Sequence, residues 1–208
     1  PQLVSVHDPD EYLASAKNNE EGEVLYQNIL DAYKALKQLK SDGKVSAIGV
    51  GSKDWKVIEQ ITNDVDLDWV MFANSMTILN HPPELLEFME KLKHKGVTII
   101  NSAVFHAGFL IGGKYFDYVE IKPDSTMNKF LFEWRNRFHE ICNKFDVNPA
   151  VACVQFGLSG PGVSSISLNT SNPLRIKSNI ELVTTQLPQE FWVAMKSEKL
   201  ISSDYSYI

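Results

Sequence analysis

The sequence predicts an α/β fold on a parallel sheet, and three observations predict it. Short β-rich runs alternate with amphipathic helical stripes at the spacing of βαβ units. The runs lack a clean polar face, as strands covered by helices on both sides do. Polar residues follow every run, at the end where a (β/α) barrel gathers its active site.

The first run is residues 3–6. His7 and Asp8 stand at its tip, and Pro9 bars further ladder pairing. Tyr26, Ile29, Leu30, Tyr33, Leu36 and Leu39 recur three or four apart and mark a helix, with Gly43 as its stop. The second run, 46–50, ends in Gly51-Ser52-Lys53, and Val57, Ile58 and Ile61 form a short stripe after it. The third, 69–72, ends in Asn74-Ser75. Beyond His81-Pro82-Pro83, the residues Leu85, Leu86, Phe88, Met89 and Leu92 mark a helix closed by Gly96. The fourth run, 97–100, ends in Asn101-Ser102. Residues 105–128 form a long, Gly-rich and aromatic segment that suits an excursion over a binding face better than a linker. Leu131, Trp134, Phe138, Ile141 and Phe145 mark a long helix. Ala150, Cys153, Phe156 and Gly157 begin another, which Gly160-Pro161 terminates. The fifth run, 163–166, ends in Asn169-Thr170. Asn172 suits the N-cap and Pro173 the first position of a last short helix. Asn and Ser also open loops and cap helices with no chemistry attached. Five strand ends in succession favour a shared site.

The 208 residues, 44% hydrophobic, suit one domain spanning 1–208, with a core large enough to need no disulfide. The two cysteines, Cys142 and Cys153, both lie in helical stretches, so a reducing, cytoplasmic setting is the simpler reading. A net charge of −6 argues against nucleic acid as a partner, and no apolar run has the length of a membrane span. No G-x-G-x-x-G follows the first strand, which disfavours a Rossmann domain. His81, His94, His106 and His139 fall in loops or helices, so a metal centre on His7-Asp8 is not expected.

The stretches VSVHDPDEY, GKVSAIGVGSKDW, VTIINSAVFHAGFLIGG and SLNTSNPLRIKSNI occur in the order and rough spacing of the aldo-keto reductase family. The chain resembles the sugar-dehydrogenase branch of that family from its first strand to about Val183. The resemblance implies a (β/α)8 TIM barrel, an NAD- or NADP-dependent oxidoreductase, and a small carbonyl or sugar substrate. It equates the first run with the fourth barrel strand, so the expectation is the last five βα units of a barrel. Eight units take about 250 residues, which agrees with five found here. The family tetrad draws an Asp, a Tyr and a Lys from the first three units. The 208-residue chain is therefore expected to be inactive alone.

By the same resemblance His7 is the catalytic candidate, polarising the substrate carbonyl or setting the proton-donor geometry. Asp8 orients its loop. Asn101 and Ser102 fall where the family holds nicotinamide and pyrophosphate, although an aromatic residue usually occupies the Asn101 position. Ser52 and Asn74 are the carboxamide candidates. Gly51-Ser52-Lys53 stands where many members have Ser-Asn, and Ala73 where many have Gln. Asn169 and Thr170 precede Arg175 and Asn179, which match the adenosine-binding Arg and Asn and share one helix face. NADP-selective members usually carry Lys at the Asn169 position, so NAD is favoured. Trp55 and Phe105 admit two readings, stacking on a sugar and ordinary packing. Tyr26 and Tyr33 lie on a helix stripe and read as packing. One further function class stays open, a nucleotide-sensing or regulatory subunit on the same fold; a metal hydrolase on another barrel using His7-Asp8 is not expected, since no second His cluster falls at a strand end. The oligomeric state is not legible.

Overall fold

All five apolar runs become strands of one sheet. The structure, a computed structural model, describes residues 2–126 and 128–208. Its elements are β1 (Leu3–His7), α1 (Pro9–Ala14), α2 (Asn19–Ser41), β2 (Ala47–Ser52), α3 (Trp55–Asp64), β3 (Trp69–Ala73), α4 (Pro83–His94), β4 (Thr98–Ser102), a one-turn 3-10 helix (Phe109–Ile111), β5 (Tyr115–Phe116), β6 (Val119–Glu120), α5 (Lys129–Lys144), α6 (Pro149–Ser159), β7 (Val163–Ser167), α7 (Arg175–Thr184) and α8 (Gln189–Ser197). The sheet order is β1-β2-β3-β4-β7, and β1, β2 and β3 pair in parallel. Among the described residues this sheet is open, with β1 and β7 at its edges. β5 and β6 form a separate antiparallel hairpin inside the 105–128 excursion.

The chain divides into two compact units. The first takes in the described residues of Pro1–Ser75, with Pro82–Asn101 and Pro161–Ser165. It holds the sheet, with α1 to α4. Ile48, Val50, Val70 and Phe72 of the strands are buried, as are Ile58 and Ile61 of α3 and Leu85, Met89 and Leu92 of α4. Each such side chain contributes about 1.5–3 kcal/mol on burial. Asn18 caps α2 by accepting from Glu21 N at 2.9 Å, and Asp54 caps α3 by accepting from Lys56 N at 2.9 Å. Tyr33 is buried on α2 and donates to Gly49 O at 3.0 Å. Tyr26 donates to Asp64 Oδ2 at 2.7 Å. Both phenols are pushed up from their ordinary value, chiefly by burial. That agrees with packing rather than proton transfer.

The second unit comprises the described residues of Met76–His81, Ser102–Gly160 and Ile166–Ile208. Trp134, Phe138 and Cys142 of α5, Cys153 and Phe156 of α6, Phe191 and Met195 of α8, and Tyr205 are buried. Pro149 opens α6 behind Asn148, whose side chain accepts from Ala150 N at 2.9 Å. Both cysteines are free and buried. Burial pushes the Cys142 thiol up to about 12 and the Cys153 thiol well up, which keeps both protonated and unreactive.

Candidate functional site

In the first unit, His7 closes β1 opposite Gly51, its register partner on β2. A Cβ at position 51 would come within 3.4 Å of His7 Nδ1, so the glycine leaves the ring room. The His7 side chain is 76% exposed, and its Nε2 lies 3.4 Å from Asp8 Oδ2. Asp8 has φ 47°, and its N–H donates to Gly51 O at 2.9 Å, so the chain turns sharply into Pro9 and α1. The imidazole is thus fixed at its base and open at its edge.

Ser52 is buried, and its hydroxyl is engaged with Asp54, donating to the carbonyl and accepting from the N–H, both at 3.1 Å. Lys53 donates to Glu11, which raises its pKa above the ordinary value. Asn74 is buried with φ 58°, and its Oδ1 has no hydrogen-bond partner. A buried acceptor without a donor costs about 1–3 kcal/mol, so this oxygen fits a ligand N–H. Its neighbour Ser75 donates to Lys53 O at 2.7 Å. Asn101 is fully buried at the end of β4. Trp55, the first residue of α3, stacks on Phe88 with 6.1 Å between centroids, and Lys56 Nζ lies 3.8 Å from the Trp55 ring centroid.

In the second unit, a cavity of about 500 Å³ brings together Phe105, Asn169, Thr170, Arg175 and Asn179. Ser102 immediately precedes its first lining residue, Ala103, and is itself buried. Arg175 is the one charged side chain among the described lining residues. The turn before α7 is organised by short side chains. Thr170 Oγ1 accepts from Asn172 N at 3.1 Å, and Asn172 Oδ1 accepts from Leu174 N at 3.0 Å. α7 itself begins at Arg175, two residues later than Pro173 suggests, although Asn172 makes the hydrogen bond of a cap. Gln155 of α6 donates to Leu182 O at 3.0 Å and holds the far end of α7.

Sequence reasoning missed Tyr118, Ile111 and Asn148 on the same cavity. Tyr118 reaches it through a turn with positive φ at two non-glycine residues, Asp117 at 46° and Tyr118 at 72°. Asp tolerates that geometry, but Tyr does not signal it.

A strand ending in His-Asp, and an Asn-Thr turn leading into an Arg-Asn helix face, are what the sequence motifs require. Residues 1–198 match the Aldo/keto reductase family. The chain belongs to the aldo/keto reductase family. It is 30% identical over 174 residues to pyridoxal 4-dehydrogenase of Microbacterium luteolum, covering 82% of this chain and 49% of that protein. It is 26% identical over 205 residues to D-threo-aldose 1-dehydrogenase of a Pseudomonas species, covering 96% and 56%. The chain thus spans about half the length of the curated relatives it matches. Among solved structures it is similar to the holo form of an aldo-keto reductase from Bacillus halodurans, with a TM-score of 0.65, 16% identity, and coverage of 99% of this chain and 62% of that one. That likeness is one of fold. It agrees with an α/β architecture of the family's (β/α)8 type.

Proposed function

We propose that this member of the aldo/keto reductase family is an oxidoreductase for hydride transfer between a nicotinamide dinucleotide, NAD in preference to NADP, and an aldose, lactol or small aldehyde. The observation that carries the reading is the cavity where Arg175, Asn179, Asn169, Thr170 and Phe105 meet. Arg175 offers a planar donor array to a phosphate, or a face to adenine. Asn169 and Asn179 offer donors and acceptors to ribose and base. Asn74 Oδ1, buried and without a partner, is an acceptor suited to a carboxamide N–H. The Ser52 hydroxyl is already engaged with Asp54, which leaves Asn74 the stronger of the two carboxamide candidates. When bound, the nicotinamide gives or takes the hydride. His7 presents an open imidazole edge that can donate a hydrogen bond to a carbonyl oxygen near neutral pH.

The test is a titration of NADH and NADPH into the intact protein, followed by fluorescence. Wild type is expected to bind, and Arg175→Ala to bind about tenfold more weakly, the lower end for a charge-assisted hydrogen bond because the side chain is exposed. Failure of wild type to bind either dinucleotide refutes the reading. The family's proton transfer also uses a Tyr–Lys pair to which no residue of this chain corresponds; Tyr26 and Tyr33 are committed to packing. The 208-residue chain alone is therefore expected to show no turnover with NAD and a panel of aldoses. Turnover at the level of an ordinary dehydrogenase would contradict this.

A further inference from the structure

We propose that Tyr118 is a ligand-contacting residue of the 500 Å³ cavity, and that Thr77 and His106 are positioning residues that hold it there through Asp117. The inference rests on the dinucleotide reading of that cavity and adds a contact to it.

Phe116 and Val119 are register partners, so Asp117 and Tyr118 form a two-residue hairpin turn. Both have positive φ, 46° and 72°. Turns of this kind favour Asn-Gly or Asp-Gly. Asp tolerates the first position, but a tyrosine at φ 72° is a steric outlier for an L side chain. The strain is not repaid by burial, because Tyr118 is 70% exposed. Something else fixes the turn.

The hold is a buried relay. His106 is 2% exposed and Thr77 fully buried. His106 Nδ1 lies 2.8 Å from Asp117 Oδ1, and His106 Nε2 lies 2.8 Å from Thr77 Oγ1. Thr77 is itself fixed: its N–H donates to Asn80 O at 2.7 Å, and its Oγ1 accepts from Asn80 N at 3.0 Å. The Asp117 carboxylate can only accept, which puts an N–H on His106 Nδ1 and aims it at Asp117. Phe116 lies flat on the imidazole, with centroids 4.7 Å apart and planes within 4°, and Phe109 meets Phe116 edge-on at 5.5 Å. The relay ends at Asp117, and the next residue, Tyr118, lines the cavity that Arg175 and Asn179 also line. Strained backbone held by a buried network and presenting an exposed aromatic ring is the arrangement of a ligand clamp. The ring offers a π-face to a planar base.

The experiment titrates NADH into the intact protein and measures the dissociation constant by fluorescence. Tyr118→Ala is expected to weaken binding roughly 5- to 150-fold, the range of base–aromatic stacking. Tyr118→Phe should bind like wild type, because the face and not the hydroxyl is used. His106→Ala should weaken binding to a similar extent, and the double variant no further than the single ones, because the two act through one contact. Asp117→Ala should behave like His106→Ala and guards against misfolding of the buried variant, whereas Asp117→Asn tolerates the turn and keeps an acceptor, and should restore binding. Without any dinucleotide, hydrogen exchange at residues 117–119 should quicken in His106→Ala and Asp117→Ala. Tyr118→Ala binding as tightly as wild type overturns the proposed contact, and so does a loss in Tyr118→Phe equal to that in Tyr118→Ala. Multiplicative losses in the double variant, or unchanged exchange in both positioning variants, overturn the role of His106. Wild type failing to bind NADH refutes the dinucleotide reading itself and this inference with it.

Discussion

Gly49 on β2 and Trp69 on β3 are register partners, and the indole fills the space that a side chain at position 49 would need. A Cβ there would sit 2.3 Å from the ring and 2.5 Å from Trp69 O. The same glycine's carbonyl accepts from buried Tyr33. Gly49→Ala must therefore shift backbone or expel the indole. Overpacking of this kind costs about 1–3 kcal/mol. Urea unfolding of wild type and variant measures it, and equal midpoints would show that β2 and β3 separate more easily than this packing implies.

His81 should make stability fall in mild acid. Its Nδ1 faces Thr77 O at 3.1 Å and its Nε2 accepts from Ser202 N at 3.3 Å, an arrangement that requires the neutral ring. Phe156 and Tyr205 enclose it at 4.8 and 5.4 Å between centroids. Burial pushes its pKa below the ordinary histidine value, outweighing the hydrogen bond to Thr77. The unfolded chain then takes up the proton first. The stabilisation is complete above the unfolded value of about 6.5, and is lost as pH falls from there through the lowered folded value. His81→Gln keeps a donor and an acceptor but does not titrate. Thermal unfolding of wild type and variant from neutral pH to about pH 5 should show a smaller drop in the variant, and parallel curves would refute the assignment.

The five strands of the main sheet were legible because each is a β-rich run set between helical stripes and followed by polar residues, from Leu3 to Val6 or from Trp69 to Phe72. The 169–179 side of the cavity was legible for a different reason. Asn169, Thr170, Arg175 and Asn179 are close in sequence, so one local motif carries them all. The hairpin was not legible, since β5 and β6 have two residues each and no period, and its turn uses Asp117 and Tyr118 where a glycine would have announced it. The Thr77–His106–Asp117 relay joins three separate segments, and only packing brings them together. Ser52 and Asn74 looked alike in the sequence. The fold separates them, giving one hydroxyl two partners and leaving one amide oxygen with none.

His7 should matter for turnover and little for stability or cofactor affinity. Its ring is 76% exposed, with Asp8 Oδ2 3.4 Å away, so truncation leaves no cavity in the core. A hydrogen bond to the substrate oxygen strengthens as charge develops there, so its loss lowers kcat and kcat/KM together. In a full-length chain that also carries the family's Tyr and Lys, His7→Ala is expected to keep its dissociation constant for NADH within about twofold of wild type. Its turnover should drop by about 10²-fold or more, as general acid–base and polarising contacts do when removed. A matching loss in NADH affinity, read by fluorescence quenching, would contradict the role.

On the proposed dinucleotide reading, cofactor choice is expected to turn on Asn169. It lines the same cavity as Arg175, and both are exposed. NADP-selective members of the family usually have Lys at this position, facing the 2′-phosphate. A 2′-phosphate brings roughly two negative charges near pH 7, by analogy with phosphorylated side chains. Asn169 can donate to one of its oxygens but cannot neutralise it, and Arg175 alone offers a full positive charge among the described lining residues. On the proposed dinucleotide reading, one cation where selective members have two is expected to shrink the preference for NADP, to the point of favouring NAD. A hydrogen bond to a charged group is worth about 1.5–3 kcal/mol, or roughly 10- to 150-fold in affinity. Solvent screening at so exposed a position puts the gain towards the lower end. Asn169→Lys should therefore shift the ratio of NADPH to NADH affinity towards NADPH by about tenfold, and the shift should shrink with added salt. Both cofactors are titrated into wild type and variant at two ionic strengths. A wild type that already holds NADPH about a hundredfold tighter than NADH, equivalent to ~2.7 kcal/mol, would mean that groups other than position 169 bind the phosphate.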